Sequence, residues 1–389
     1  MKFFRVLILF LFFKQFIIAQ EFKYLHFDTN GGLPSSEVYS IIQDSKGYIW
    51  FATDHGICRY NGKDFTTYTI ADGLPDNTIF RMCEDPQGRI WFASQSNELC
   101  YWDKGAIHQT PASGALHKVL ASGGIVKDIF IDSLNKIWVN TQTISLYSEA
   151  KSNYAEFRRT DSSSNSNCHL IEINKKRIHF DITNNSQRKQ TGPNTYLAKI
   201  HSYHVDQPKN FREYTVESPD RMDAIAKGMT GNGDFLLGVD SLLYTFSNGA
   251  IIQKNLKKII IKIVTDAKNN IWICYLKGGV DYFKGGDLTK TPISLLTTYS
   301  VDDVCIDHEG GVWAATLENG VFYMPSTSIL VYTAPTELSD HIIYLSSVHD
   351  TLIMNTFGQN CFYESTQKIV PLNWVNKASK TGKIQGNIF

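Results

Sequence analysis

From residue 33 to 62 the chain reads LPSSEVYSIIQDSKGYIWFATDHGICRYNG, and from 74 to 105 it reads LPDNTIFRMCEDPQGRIWFASQSNELCYWDKG. In both stretches short apolar runs alternate with polar turn signals, a length and punctuation that predict strands rather than helices. Val38–Gln43 is a first strand, and Asp44 to Gly47 is a turn in which the Asp side chain bonds its own backbone and Gly supplies a positive φ. Tyr48–Thr53 follows as a second strand, Asp54 to Gly56 as a loop, and Ile57–Tyr60 as a third strand. Asn61-Gly62 then signals a tight hairpin into a fourth strand, Phe65–Ile70.

This four-strand unit recurs. With the Trp after the turn as a ruler, the anchors are Trp50, Trp91, Trp138, Trp272 and Trp313, at spacings of 41, 47, 134 and 41 residues. The long gap holds two weaker copies, with His179 and Leu236 in the Trp place, and an eighth copy carries Ile353 there. A period near 40 residues is that of propeller blades. A lone four-stranded meander buries neither face, whereas radial stacking lets each sheet cover the next. The expected fold is therefore an all-β propeller of four-stranded antiparallel blades. Phe22–Phe27 has the pattern of a fourth strand but precedes any first strand, so it is expected to complete the blade of Trp313 and close a seven-bladed ring. The domain reading is a signal peptide over 1–20, a seven-bladed propeller over 21–325, and a partial second propeller over 326–389 that holds the eighth repeat and the start of a ninth. A single eight-bladed ring, closed by pairing of Phe22–Phe27 with the strand around Phe362, is the alternative. The polar stretches 161–167 and 183–195 read as long loops of the fourth and fifth blades.

The five anchor Trp residues lie mid-strand among Ile, Val, Phe and Ala, which marks them as blade core rather than sugar platforms. The turns at Asp44, Asp85 and Asp307 lack the alternating carboxylates of a Ca²⁺ loop and read as plain turns, so no metal or cofactor is expected. At the start of the chain, Lys2 and Arg5 precede an apolar run that ends at Ala19, the pattern of an export signal. The expected location is thus the periplasm, or the periplasmic face of the inner membrane within a larger sensor. Lys+Arg and Asp+Glu both number 38, so no net field recruits nucleic acid. The seven cysteines are an odd number with no CxxC pair. Cys58 and Cys100 take equivalent places in two repeats, as do Cys83 and Cys305, so buried free thiols are expected.

The string GLPSSEVYSIIQDSKGYIWFATDHGICRYNG closely resembles the two-component-regulator propeller repeat of periplasmic sensor regions in Bacteroidetes-type hybrid and sensor histidine kinases. The likeness is strong over 31–105 and 300–324, fair over 123–147 and 258–284, and weak between. It rests on the LP-S/N start, the D-x-x-G turn and the I-W-F-A-T strand. The resemblance implies two seven-bladed propellers followed by a β-sandwich, a membrane helix and a kinase. This sequence departs from that plan, with no later membrane helix, kinase histidine motif or nucleotide-binding glycine box, and it stops at GKIQGNIF. A truncated product, or the front part of a split sensor, is the expectation.

GxSxG, HExxH, Walker A and GxGxxG are all missing, and His308-Glu309 lacks a second zinc-binding His. Asp302 and Asp303 are adjacent, and strict strand alternation would point them to opposite faces, away from a common substrate. No catalytic residue is assigned. Because strands alternate in direction, loops after second strands and loops before first strands must share one end. That end carries Ser35, Ser36, Asp54, His55, Asp76, Asn77, Gln95, Asn97, Lys277, Glu318 and Asn319, a set rich in amide, hydroxyl and carboxylate groups. These are the candidate ligand-binding residues. The resemblance makes a glycan-type polysaccharide or oligosaccharide the leading ligand of an extracytoplasmic sensor that relays to a histidine kinase module or another signalling protein. The rivals are a periplasmic protein-docking scaffold, which includes a homodimer, and a propeller glycosidase or lyase.

Overall fold

The computed structural model describes residues 24–110, 225–247 and 250–326 throughout, with Leu116, Lys136 and the strands that lie between 126 and 219 and between 342 and 371. The expected signal peptide lies outside the described residues. One compact unit spans Leu25–Pro325, and the second includes Ser326–Phe389. In the second unit Ile342–Val348, Thr351–Thr356, Cys361–Ser365 and Lys368–Pro371 form a four-stranded antiparallel sheet in sequence order.

Among the described residues the Leu25–Pro325 unit contains seven antiparallel sheets. The first blade is Val38–Gln43, Ile49–Thr53, Gly56–Tyr60 and Phe65–Tyr68, paired in that order. The second runs from Ile79 to Gln109, the third from Val126 to Arg159, the fifth from Ile225 to Asn255 and the sixth from Ile259 to Leu295. First strands lie against first strands: Val38–Gln43 touches Ile79–Glu84 and Val301–Ile306, and Ile225–Met229 touches Ile259–Thr265. They therefore face the middle of the unit, with exposed fourth strands such as Phe65–Tyr68 outside.

The expected closing strand is present in its described part. Leu25–Phe27 pairs antiparallel with Val321–Met324, the third strand of the sheet that holds Trp313. The strand around Phe362 pairs with its own sheet instead. Further bonds cross the same seam, from Ser40 Oγ to Asp303 Oδ2 at 3.1 Å, from His308 N to Gln43 Oε1 at 2.6 Å, and from Gly320 N to Ser36 O at 2.8 Å. Phe27 stacks on Trp313 at 5.6 Å and meets Tyr60 and Phe65 edgewise or tilted, which seals the joint with aromatic area.

The second strands explain why both faces are apolar. In IWFAT, Ile49 and Phe51 pack with Trp313 and Ala315 of the preceding sheet, while Trp50 and Ala52 pack with Ile90 and Phe92 of the next. Alternation thus divides the strand between two interfaces rather than between core and water. Trp50 and Phe51 are wholly buried, and each such side chain is worth about 2–3 kcal/mol. A clip recurs beneath them. Asp44 Oδ1 accepts from the N–H groups of Lys46 and Tyr48, and Oδ2 accepts from Trp50 Nε1 at 2.8 Å. Asp85 with Trp91, Asp266 with Trp272 and Asp307 with Trp313 repeat the bond at 2.8, 3.2 and 3.0 Å. The Asp of the turn therefore also satisfies the buried indole six residues on.

Two local expectations need correction. Tyr60 pairs with Phe65, so the expected hairpin is formed over residues 61–64, with Asn61 Oδ1 accepting from Lys63 N and Asp64 N; the fourth strand, however, ends at Tyr68 and not at Ile70, because Thr69 caps a helical turn over Ile70–Asp72. The stretch 183–195 is not simply a loop and does not reach the fifth blade. Lys189–Gly192 is a strand that pairs with Thr195–Leu197, inside a five-stranded fourth sheet whose long strand Thr195–His204 also pairs with Lys176–Thr183 and Phe211–Pro219. Backbone pairing with the ten-residue strand Thr195–His204 outweighs the Ser/Asn-rich composition of this stretch.

Candidate functional site

The loops expected to share an end do so, and backbone hydrogen bonds stitch them together. Gly56 N donates to Asn77 O at 2.7 Å, Gln95 N to Thr78 O at 2.9 Å, Gly278 N to Tyr299 O at 3.2 Å and Leu317 N to Ser300 O at 3.1 Å. Five of the eleven candidate side chains accept backbone N–H groups of these loops, Ser35 Oγ from Glu37 N at 3.0 Å among them. Asp76 Oδ1 takes Thr78 N, Asn77 Oδ1 takes Ile70 N, Asn97 Oδ1 takes Val126 N, and Glu318 Oε1 takes Ser300 N. Lys277 donates its backbone N–H to Ser300 Oγ, and Asn319 accepts His26 Nε2 on its carbonyl at 2.8 Å. The polar composition of these loops is thus in part a means of satisfying backbone groups at tight connections.

Ser35, Asp54 and His55 form one cluster. His55 Nδ1 lies 2.9 Å from Asp54 Oδ2, with His55 exposed and Ser35 buried. Burial opposes the Asp54 charge, but His55 and Ser35 beside it hold the carboxyl below the usual carboxylate value, and Asp54 in turn raises the pKa of His55. The second oxygen, Asp54 Oδ1, is shielded from water with no donor in hydrogen-bond geometry. Ser36 joins this neighbourhood through Gly320, and Asn77 through Gly56, whereas Lys277 sits at a separate joint with Ser300. His55, Gln95, Lys277 and Glu318 are the exposed members of the set.

In a second group of charges the sequence drew attention only to Asp302 and Asp303. Arg81, Asp128, Lys227, Lys262, Asp302 and Asp303 all lie on first strands. Arg81 Nη1 pairs with Asp302 Oδ2 at 3.0 Å and donates to Tyr39 O, and Lys262 Nζ lies 3.5 Å from Asp303 Oδ1. Burial pushes the Lys227 amine down to about 8, partly opposed by Asp128 and reinforced by Lys262. The register shifts between Val301 and Asp303, as it does at Val38/Ser40, Ile79/Arg81, Val126/Asp128 and Ile260/Lys262. Alternation therefore fails where the opposite-face argument for Asp302 and Asp303 needed it, because a bulge sets two residues against one. Asp303 meets the first strands of both neighbouring sheets through Ser40 and Lys262, whereas Asp302 reaches past the first blade to Arg81 of the second. The available signal was a charge near the same place in five of the first strands, at Arg81, Asp128, Lys227, Lys262 and Asp303, where the first blade has Ser40.

Five cysteines in the described region are free, with Cys58, Cys100 and Cys274 fully buried. Among the described residues no helix is long and apolar enough to cross a membrane.

The two-component regulator propeller family model matches residues 32–55 and 73–96. No curated protein matches the chain by sequence. Among solved structures, the extracellular domain of a hybrid two-component system from B. thetaiotaomicron aligns with a TM-score of 0.59 at 16% identity, over 90% of this chain and 49% of that one. The chain thus spans about half the length of that relative. Virginiamycin B lyase from Staphylococcus aureus aligns with a TM-score of 0.55 at 13% identity, over 78% of this chain and 99% of the lyase. PorZ, a surface component of the type-IX secretion system of Porphyromonas gingivalis, aligns with a TM-score of 0.53 at 12% identity, over 90% of this chain and 56% of PorZ. At these identities the likenesses establish fold alone. The chain is therefore a β-propeller whose first two blades carry two-component regulator propeller repeats.

Proposed function

We propose that this chain is the ligand-binding, non-catalytic propeller of an extracytoplasmic two-component sensor, in which Leu25–Pro325 acts as a closed seven-bladed ring. The loop end around Ser35, Asp54 and His55 takes a polar ligand of glycan type, and occupancy is relayed to a histidine kinase module. The observation that carries this reading is one of overlap. The matched segments 32–55 and 73–96 contain Ser35, Ser36, Asp54, His55, Asp76, Asn77 and Gln95. Within that surface the exposed His55 and Gln95 offer donor and acceptor groups to ligand hydroxyls.

The test is a thermal-shift screen of the chain against poly- and oligosaccharides. A ligand at a hundred times its dissociation constant stabilises the folded state by about 2.7 kcal/mol. His55→Ala and Gln95→Ala, both exposed, should weaken the shift without lowering the melting point of the free protein. A panel that never shifts the melting point, with a co-purifying membrane or periplasmic protein that does, would replace glycan sensing with protein docking.

A further inference from the structure

The repeats serve as internal controls for one another, and the fifth blade stands out. In four sheets the Trp of the second strand faces a Tyr of the third: Trp91 with Tyr101, Trp138 with Tyr147, Trp272 with Tyr282 and Trp313 with Tyr323. In the first blade the partner is Arg59, with its guanidinium 5.7 Å from the Trp50 ring. The fifth blade keeps the turn but not its side chains. Thr230 stands in the place of the Asp, closing the turn through Gly233 N to Thr230 O at 2.9 Å as Gly47 N does to Asp44 O. Leu236 replaces the Trp, and Thr245 pairs with it where a Tyr is usual.

The smaller side chain at Thr245 leaves space against the sixth blade. A cavity of about 460 Å³ lies there, lined among others by Thr230, Asp234, Thr245, Gln253 and Asn269. At the equivalent place between the last and first blades, where Trp313 and Tyr323 are present, the cavity is about 360 Å³. The larger volume lies in the range of small-molecule sites. Its far wall is fitted closely. A Cβ on Gly231 would sit 1.9 Å from Asn269 Oδ1, and one on Gly286 2.7 Å from Asn269 O, so both glycines are needed for Asn269 to line the cavity.

The lining defines the chemistry. Lys254 Nζ is held by Leu288 O at 2.7 Å, and Asp287 Oδ1 accepts Thr289 N at 3.1 Å, so these charges are engaged within the wall. Thr230 Oγ1 accepts Asp234 N at 3.0 Å and Thr289 Oγ1 donates to Asp287 Oδ1, which leaves the Thr245 hydroxyl and the Gln253 and Asn269 amides to donate and accept, while Leu243, Ile252 and Leu288 supply an apolar side. We propose that this interblade cavity binds a neutral polyhydroxylated molecule of one or two sugar rings, with hydroxyls toward the Thr and amide groups and a C–H face toward the Leu and Ile side chains. The site lies among the D-x-x-G turns, away from the Ser35, Asp54 and His55 loops, and does not depend on them.

Saturation-transfer NMR on the full chain with glucose, maltose, cellobiose and sorbitol tests the proposal, with Thr245→Tyr, Gln253→Ala and His55→Ala as variants. Thr245→Tyr restores the residue of the sibling blades and should narrow the cavity, placing a ring where the hydroxyl of Thr245 stands. The expected result is binding of at least one probe to the parent chain and to H55A, loss in T245Y at an unchanged or higher melting temperature, and affinity about tenfold weaker in Q253A. A parent chain that binds no probe overturns the proposal, as does a folded T245Y that binds as the parent does. Should T245Y fail to fold, unchanged affinity in Q253A is the overturning result. Binding lost in H55A but kept in T245Y would sink this site and leave the loop-end reading standing.

Discussion

Replacing Asp44 isolates the clip that ties each turn to its Trp. Asp44 is 2% exposed and receives three donors: Lys46 N at 3.0 Å, Tyr48 N at 2.9 Å and Trp50 Nε1 at 2.8 Å. Trp50 is fully buried, so Asp44→Ala leaves its indole N–H without a partner and without water, at a cost of about 1–3 kcal/mol. The two turn N–H groups lie nearer solvent and lose only the net value of a hydrogen bond, about 0.5–1 kcal/mol each. The sum is about 3 kcal/mol. Asp44→Asn keeps the shape, yet one amide face must meet donors, so it should still cost about 1–2 kcal/mol. Urea unfolding gives these values, and a double-mutant cycle with Trp50→Phe should return a coupling of at least about 1 kcal/mol, because the Phe variant has no indole to orphan. An isosteric D44N as stable as the parent, or a cycle without coupling, would refute the clip and leave Asp44 as a turn residue alone.

Two further outcomes follow from the seam and from the ring interior. Phe27→Ala removes a half-buried ring packed on Trp313, Tyr60 and Phe65 and should cost about 2 kcal/mol, about half the loss for a fully buried Phe, with earlier proteolytic cutting near Leu25 than in the parent; equal stability would mean the closing strand carries no load. Lys227 has a folded-state pKa of about 8 against 10.5 for the free side chain, so between those values the unfolded chain holds more protons and stability rises with pH. Below pH 8 both states are protonated and the burial penalty stands in full. Lys227→Met should flatten this rise, as read from urea midpoints at pH 8 and pH 10.5. Parallel pH profiles of parent and variant would rule the group out.

Repeat period, strand order and the place of the closing strand were all legible in the sequence, because each depends on local chemistry. Asp44 and Gly47 fix a turn, the alternation of Ile49, Trp50, Phe51 and Ala52 marks a strand buried on both faces, and a pattern repeated about every 40 residues leaves few ways to bury it. Free, buried cysteines such as Cys58 and Cys100 followed from the same equivalence of positions.

Tertiary structure alone decided what the polar residues do. Asp76, Asn77, Asn97 and Glu318 looked like ligand contacts from their loop positions, but their oxygens take backbone N–H groups whose positions depend on how neighbouring blades meet. The first-strand charges were equally hidden, since a register shift at Asp303 becomes visible only against the partner strand. The cavity beside Thr245 has the same origin. Thr230 and Thr245 are unremarkable one at a time, and become part of a site only when folding sets them against Asn269 and Gly286 of the sixth blade. Local chemistry acts over a few residues and is written along the chain, whereas a joint, a bulge or a cavity belongs to pairs of segments far apart in it.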